Sequence, residues 1–329
     1  MDMIKFFFVV ISMFLSSCGQ KNSGEVSATK EIRQKVTSAP VFNADSAYTY
    51  VANQVDFGPR VPNTAAHKAC GNYLSSELKR FGAKVFEQEA ILTTYNKTPL
   101  QAKNIIGSFS PEKDKRILLF AHWDTRPFAD EDPDPANHYK PIDGADDGAS
   151  GVGVLLEIAR QIGQQEPNAG IDIIFFDAED YGTHALEKSG VANPWCLGSQ
   201  FWAKNPHVPN YRAEYGILLD MVGAKNATFF KEGYSMRYAA PIVEKVWSTA
   251  RSLGYGKYFI NSNGGTITDD HQYVIQGRNI PCIDIINFDP ETNTGFGSYW
   301  HTMNDTMDNI DRETLKAVGQ TVLEVIYNR

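Results

Sequence analysis

The chain has 329 residues, of which 42% are hydrophobic and 12% aromatic, enough to bury the core of one large domain or two modest ones. This composition excludes a disordered or fibrous protein. The net charge of −8 at pH 7, without clustered Lys and Arg, argues against nucleic acid as a partner, because phosphate binding needs concentrated positive charge.

The N-terminus has the pattern of an export signal. Lys5 precedes an apolar run over residues 6–15, which is too short to span a bilayer, and two serines then precede Cys18. This pattern resembles a bacterial lipoprotein signal, so we expect residues 1–17 to be removed and Cys18 to carry a lipid that anchors the protein to a membrane. An ordinary signal peptide that ends near a cysteine is the alternative. The expected location is therefore the bacterial cell envelope.

A change of composition separates the signal from the rest of the chain. Residues 18–40 are rich in Gly, Ser, Lys and Glu and predict a flexible tether, so the folded domain should span residues 41–329. Besides Cys18, the chain has Cys70, Cys196 and Cys282, with no CxxC spacing. This usage predicts neither a disulfide framework nor a zinc site with cysteine ligands.

Helical and strand-like segments alternate through the domain. Helical periodicity is found in residues 44–55, 64–81, 152–162, about 238–253 and about 312–326. Short apolar runs typical of buried strands are found in residues 117–120, 171–176, 217–219 and 281–286. This alternation predicts a single α/β domain with a central, largely parallel mixed sheet flanked by helices.

Polar residues of metal-ligand type follow several of the predicted strands. Because ligands bind at the carboxyl ends of the strands in open α/β sheets, these residues should converge on one crevice. They are His122, Asp124, Asp177, Glu179, Asp180 and Asp220, joined by Asp147, the run 269–271, Trp300 and His301. Taken singly, Asp147 could cap a helix, Asp180 could be solvated and His301 could lie at the surface.

Taken together, these residues predict a metalloenzyme. Two carboxylates and one imidazole are the ligands that an open catalytic zinc needs, with the fourth position left for water or substrate. In the adjacent pair Glu179 and Asp180, one carboxylate can bind the metal while the other stays free as a general base.

Four segments carry a resemblance to a known group of enzymes. They are the Gly-Ala-Asp-Asp-Gly-Ala-Ser-Gly run at 144–151, Phe-Asp-Ala-Glu-Asp at 176–180, Leu-Asp at 219–220 and His-Thr-Met-Asn-Asp-Thr at 301–306. In order and spacing, from about residue 104 to the C-terminus, the chain resembles the clan of zinc aminopeptidases and glutaminyl cyclases. The resemblance implies a zinc aminopeptidase-like fold.

Within this clan the chain is most similar to the glutaminyl cyclases, of the animal-like type found in bacteria. The features are Trp300 directly before His301, the Asp-Asp-His run at 269–271, and the stretch 287–300. The chain departs from the animal enzymes at Asp180, where they have Glu, and at Asp284, where they have His. The resemblance implies a glutaminyl-peptide cyclotransferase, which converts N-terminal Gln of peptides and proteins to pyroglutamate and releases ammonia.

The resemblance also implies a role for each site residue. One Zn²⁺ would be held by Asp147, Asp180 and His301. Glu179 would carry the proton, and Asp220 and Asp269 would assist catalysis. Trp300 and Asp284 would contact the substrate. The roles of His122, Asp124, Trp195, Trp202 and the loop 129–143 stay open, with the loop expected to be solvated and Trp202 expected in the core.

Two other functions compete with this interpretation. The two-zinc aminopeptidases of the clan use a ligand and base set that the chain also supplies, so a zinc-dependent aminopeptidase is the first alternative. The residues of this set are His122, Asp124, Asp147, Glu179, Asp180, Asp220 and His301. A binding lipoprotein that kept the fold and lost catalysis is the second, although it would have no chemical need for the complete set.

Overall fold

The structure, a computed structural model, describes residues 38–328. The expectations about the signal peptide, Cys18 and most of the tether concern residues outside this range. The helices are α1 (Ala44–Val55), α2 (Ala65–Arg80), α3 (Ala149–Gln164), α4 (Leu197–Lys204), α5 (Gly233–Ser252), α6 (Asp270–Arg278) and α7 (Arg312–Tyr327). The strands are β1 (Lys84–Thr93), β2 (Pro99–Phe109), β3 (Arg116–His122), β4 (Gly170–Phe176), β5 (Tyr215–Asp220), β6 (Phe229–Lys231), β7 (Phe259–Asn263) and β8 (Cys282–Ile286).

Six strands form the central sheet, in the order β1-β2-β4-β3-β5-β8. Strands β4, β3, β5 and β8 are parallel, whereas β2 runs antiparallel to both of its neighbours, β1 and β4. Strands β6 and β7 form a small separate pair. The predicted α/β fold with a mixed central sheet is confirmed.

The central strands are buried on both faces, which explains their nearly continuous apolar sequences. In β3, Ile117 and Leu119 pack into the larger core, and Leu118 and Phe120 pack into a second core on the opposite face. Helices α1, α2, α3, α5 and α7 contribute to the larger core, and α4 and α6 contribute to the second. The sheet is therefore covered on both sides. No helix within residues 38–328 combines the length and the hydropathy that crossing a bilayer requires.

The strand register brings several chain segments to one edge of the sheet. His122, the last residue of β3, pairs with Phe176, the last residue of β4. In the same way Asp220 at the end of β5 pairs with Ile286 at the end of β8. The chain therefore leaves all four parallel strands at the same edge, and the polar residues that follow are brought together there.

Candidate active site

A cavity of about 320 Å³ lies at this edge of the sheet. Its acidic lining includes Glu179, Asp180, Asp220 and Asp269, and its aromatic lining includes Trp195 and Trp300. A larger cavity of about 910 Å³ lies between α2 and the β1–β2 hairpin, but its lining contains none of the residues predicted for the site. The smaller cavity is therefore the candidate active site.

Asp147, Asp180 and His301 come together at this cavity. The Nε2 atom of His301 lies 3.1 Å from Oδ1 of Asp180 and 3.6 Å from Oδ2 of Asp147. Burial, with the nearby charge of Arg126, lowers the pKa of His301 to about 3, so its imidazole is neutral and can offer a nitrogen lone pair. Oδ2 of Asp180 is buried and has no hydrogen-bond partner within residues 38–328. These donors fit a zinc ion, which binds carboxylate oxygen and imidazole nitrogen.

A second cluster of possible ligands shares Asp147. The Nε2 atom of His122 lies 2.9 Å from Oδ1 of Asp147 and 3.2 Å from Oδ1 of Asp220. Burial opposes a charge on His122, but the carboxylates of Asp124, Asp147 and Asp220 outweigh it and raise the pKa of His122 well above its usual value. The structure thus also brings together the additional ligands that a two-metal aminopeptidase would use.

The turn after β4, which carries Glu179 and Asp180, is held by hydrogen bonds to its backbone. Ala178 adopts a left-handed conformation with φ of 52°. The carboxylate of Asp124 accepts the backbone N–H of Glu179 at 3.0 Å and that of Asp180 at 3.2 Å. Asp124, whose role the sequence left open, therefore fixes the backbone that carries the proposed base and the proposed ligand.

Glu179 is half-buried beside the cavity. Burial and the negative charges of Asp180 and Asp269, against the opposing charge of His122, raise the pKa of Glu179 well above its usual value. The Cys196 thiol donates a hydrogen bond to Oε1 of Glu179 over 3.0 Å. Cys196 had no predicted role at the site, because its contact with Glu179 joins residues 17 positions apart that no local pattern relates.

Four residues at or beside the cavity have left-handed backbone although none is glycine. Their φ angles are 52° for Ala178, 58° for Cys196, 47° for Met221 and 53° for His301. This conformation is unfavourable for residues with a Cβ atom, and such residues concentrate at functional sites. The backbone is therefore strained along the edge where the predicted site residues meet.

Two buried aspartates of the site have raised pKa values. Burial, and then the charge of Asp220, raise the pKa of Asp269 to about 7. Burial also raises the pKa of Asp220 to about 6, although its contact with His122 opposes the shift. Both carboxyl groups line the cavity, where a peptide could reach them.

Asp284 lies deeper in the sheet than the other residues assigned to the site. It is fully buried in the middle of β8 and does not line the cavity, whereas Ile286 at the end of the strand does. The Nδ1 atom of His271 lies 3.8 Å from Oδ2 of Asp284. Asp284 lies beside His271 and Asp269, and Asp269 lines the cavity, so the substrate contact expected of Asp284 stays a prediction.

Two indole rings flank His301. The ring of Trp300 stacks on the imidazole with centroids 3.6 Å apart, and the ring of Trp195 lies nearly parallel to it at 6.1 Å. The guanidinium of Arg126 packs over Trp195 at 4.5 Å. Trp202 is instead fully buried in the second core, as expected. Trp195 and Trp300 are therefore the tryptophans that a substrate would meet.

Much of the loop 129–143 is exposed, as expected, but its first residues are buried against the site. Asp130 is buried and forms an ion pair with Arg126, whose Nε donates to it over 2.8 Å. Oδ1 of Asp130 also lies 3.6 Å from Nδ1 of His301. A carboxylate beside the second nitrogen of a metal-binding histidine orients the ring. Arg126 and Asp130 therefore support the site, although sequence analysis did not identify them.

Comparisons with known proteins identify a family for the chain. A family model described as Peptidase family M28 matches residues 104–326. The chain is similar to a Zn-dependent exopeptidase from Parabacteroides distasonis, with 76% identity and a TM-score of 0.88 over 89% of this chain and 100% of the other. It is also similar to the glutaminyl cyclase of Tannerella forsythia, with 69% identity and a TM-score of 0.87 over 88% and 100%. The bovine glutaminyl-peptide cyclotransferase is 26% identical over 298 residues, which cover 82% of this chain and 79% of that protein.

Proposed function

This chain belongs to peptidase family M28, and within that family we propose that it is a zinc-dependent glutaminyl-peptide cyclotransferase. Its substrates would be peptides and proteins with N-terminal Gln. One observation carries the proposal: a small cavity lined by two indole rings holds Glu179, a carboxylate outside the proposed ligand set, next to two carboxylates and a neutral imidazole. The 69% identity to a bacterial glutaminyl cyclase supports it.

The reaction joins two groups of one residue. The α-amine attacks the side-chain amide carbon, a C–N bond forms, the bond to the amide nitrogen breaks, and ammonia leaves. Zinc held by Asp147, Asp180 and His301 would supply Lewis-acid polarisation of the amide carbonyl. Glu179 would accept a proton from the attacking amine and return it to the leaving nitrogen. A peptide N-terminus has a pKa of about 7.7–8.0, so a useful fraction of the amine is already neutral near pH 8.

The walls of the cavity would contribute by positioning the substrate. Because nucleophile and electrophile belong to the same residue, much of the acceleration can come from holding them close together. The indole of Trp300, which lines the cavity together with Trp195, would offer a flat face for the glutamine side chain. The raised pKa values of Asp220 and Asp269 allow these carboxyl groups to share protons and to bind the amide or the amine.

We propose one zinc per chain rather than two. The imidazole of His122 lies within hydrogen-bond distance of both Asp147 and Asp220, so its N–H can bridge the two carboxylates that a second metal would otherwise join. In the aminopeptidase alternative, His122 and Asp220 would bind that second metal.

Metal analysis combined with product analysis separates the candidate functions. We expect about one zinc per chain and release of ammonia from peptides with N-terminal Gln. Two zinc ions with release of free amino acids would favour the aminopeptidase. A protein without bound metal and without either product would favour a binding lipoprotein.

We further propose that the protein is exported and anchored to the cell envelope through a lipid on Cys18. The signal-like residues 1–17 and the tether that follows support this proposal. Cys18→Ser should move the enzyme to the soluble fraction with unchanged activity, because the tether separates the lipid from the domain. A variant that still fractionates with membranes would contradict the anchor.

A further inference from the structure

We propose that Cys196 is a positioning residue that holds the carboxylate of Glu179 in the orientation needed for proton transfer. The inference rests on the proposed function, because it assumes that Glu179 carries the proton. It goes beyond that function by giving a role to a side chain outside the predicted ligands, acids and aromatic walls.

The first observation is the contact between the two side chains. The thiol donates to Oε1 of Glu179 over 3.0 Å, and no other group among residues 38–328 donates a hydrogen bond to this carboxylate. Cys196 is fully buried. Burial, together with the charge of Glu179, raises the pKa of Cys196 well above its usual value, so the thiol keeps the proton that it donates. One oxygen of Glu179 is thus held and the other stays available to a substrate.

The second observation is that the backbones of the two segments are also joined. The N–H of Cys196 donates to the carbonyl oxygen of Glu179 over 2.9 Å, and the N–H of Leu197 donates to that of Ala178 over 3.0 Å. Cys196 and Ala178 both have left-handed backbone, at φ of 58° and 52°. Both segments thus keep a backbone conformation that residues with a Cβ atom rarely adopt. The conformation at Cys196 directs its thiol towards the carboxylate.

A fixed orientation matters because a proton carrier must keep its carboxylate within reach of the attacking amine. A glutamate side chain without a fixed donor can adopt several rotamers, and fewer molecules would then carry a correctly placed base. The thiol contact restricts this rotation without adding a charge beside the proposed metal ligands.

The test compares Cys196→Ala and Cys196→Ser with the wild type and with the control Cys282→Ala. Cys282 is also a fully buried thiol, but it lies at the amino end of β8, away from the cavity. Ammonia release from a Gln peptide gives kcat and KM, while metal analysis and thermal unfolding report zinc content and folding.

We expect Cys196→Ala to lower kcat by about 10-fold to 100-fold, the effect of losing a hydrogen bond to a charged group. KM should change by less than about threefold, because the thiol does not line the cavity, and zinc should remain at the wild-type level. Cys196→Ser should restore most of kcat because the hydroxyl can donate in place of the thiol. Cys282→Ala should keep the wild-type kcat.

Several results would overturn the positioning role. They are a Cys196→Ala variant with wild-type kcat, equal losses of kcat in the Ala and Ser variants, or a loss of activity accompanied by loss of zinc. The activity of the wild type distinguishes failure of the positioning role from failure of the proposed function. An inactive wild type overturns both, whereas an active wild type with an equally active Cys196→Ala variant overturns the positioning role alone.

Discussion

Replacing Asp269 with asparagine should stabilise the metal-free protein at neutral and alkaline pH. Asp269 is 3% exposed and caps α6, because its carboxylate accepts the backbone N–H of Asp270. Asparagine is an equally good N-cap, and its side-chain oxygen can accept the same hydrogen bond. The substitution therefore keeps the local structure and removes the ability to ionise.

The magnitude follows from the pKa of Asp269, which rises from 3.8 to about 7 on folding. A carboxyl group with a raised folded-state pKa contributes stability below its unfolded-state pKa, and this contribution is lost as the pH rises through the folded-state value. A shift of about three units corresponds to about 4 kcal/mol. The wild type should lose this amount between about pH 4 and pH 8, whereas Asp269→Asn should not.

Thermal unfolding after zinc removal by a chelator measures the effect. At pH 8 the variant should melt on the order of 8 °C higher than the wild type, and near pH 4 the two should coincide. Asp134→Asn is the matched control, because the side chain of Asp134 caps the 3₁₀ helix Pro135–Asn137 but is exposed. The reasoning is refuted if the melting profiles of Asp269→Asn and wild type run parallel from pH 4 to pH 8, or if the variant is less stable at pH 8.

Three further predictions concern the side chains that line the cavity and the turn after β4. Glu179→Gln should keep its zinc and lose roughly 10²–10⁴-fold in kcat, whereas Asp180→Ala should lose zinc and regain part of its activity when zinc is added. Metal content and rate are measured on both variants across a zinc titration, and exchanged outcomes would mean that the roles of base and ligand are reversed. Gly182→Ala should raise KM about tenfold in steady-state kinetics, because the new Cβ would lie 2.0 Å from the ring of Trp195 and push it into the cavity; an unchanged KM would show that the ring can move elsewhere. Asp124→Asn should lower kcat about tenfold and reduce the melting temperature, because the side-chain amide can accept only one of the two backbone N–H groups of the turn. A wild-type kcat and a wild-type melting temperature would show that Asp124 does not hold this turn.

The sequence predicted the elements whose pattern is set by the core. The helix over residues 44–55 and the strand at 171–176 are found almost where periodicity placed them, because each has a strongly apolar face or run. Strand β1 was missed because it is an edge strand that alternates exposed and half-buried residues and has no apolar run. Helix α5 begins near residue 233 rather than 238, since Glu232 caps it and accepts the N–H groups of Tyr234 and Ser235.

The site could be predicted where strand order or a motif of the resemblance decides it. His122 and Asp220 end neighbouring strands of the sheet, so the general rule for open α/β sheets brings them together. The contact between Cys196 and Glu179 depends on how the loop 181–196 returns to the turn after β4, which no local pattern encodes. The burial of Asp284 depends on how far along β8 the cavity reaches, and that distance is likewise set by tertiary packing.

The left-handed backbone at Ala178, Cys196, Met221 and His301 has a consequence for engineering this enzyme. Each position carries a conformational cost of roughly 1–2 kcal/mol that glycine would avoid. A selection for heat resistance alone is therefore expected to collect glycine at positions such as 178, where the lost side chain is a single methyl group. Such variants would survive higher temperatures and turn over more slowly, since the relaxed turn would no longer hold its acids in one arrangement. Thermostability and activity should therefore be selected together in this protein.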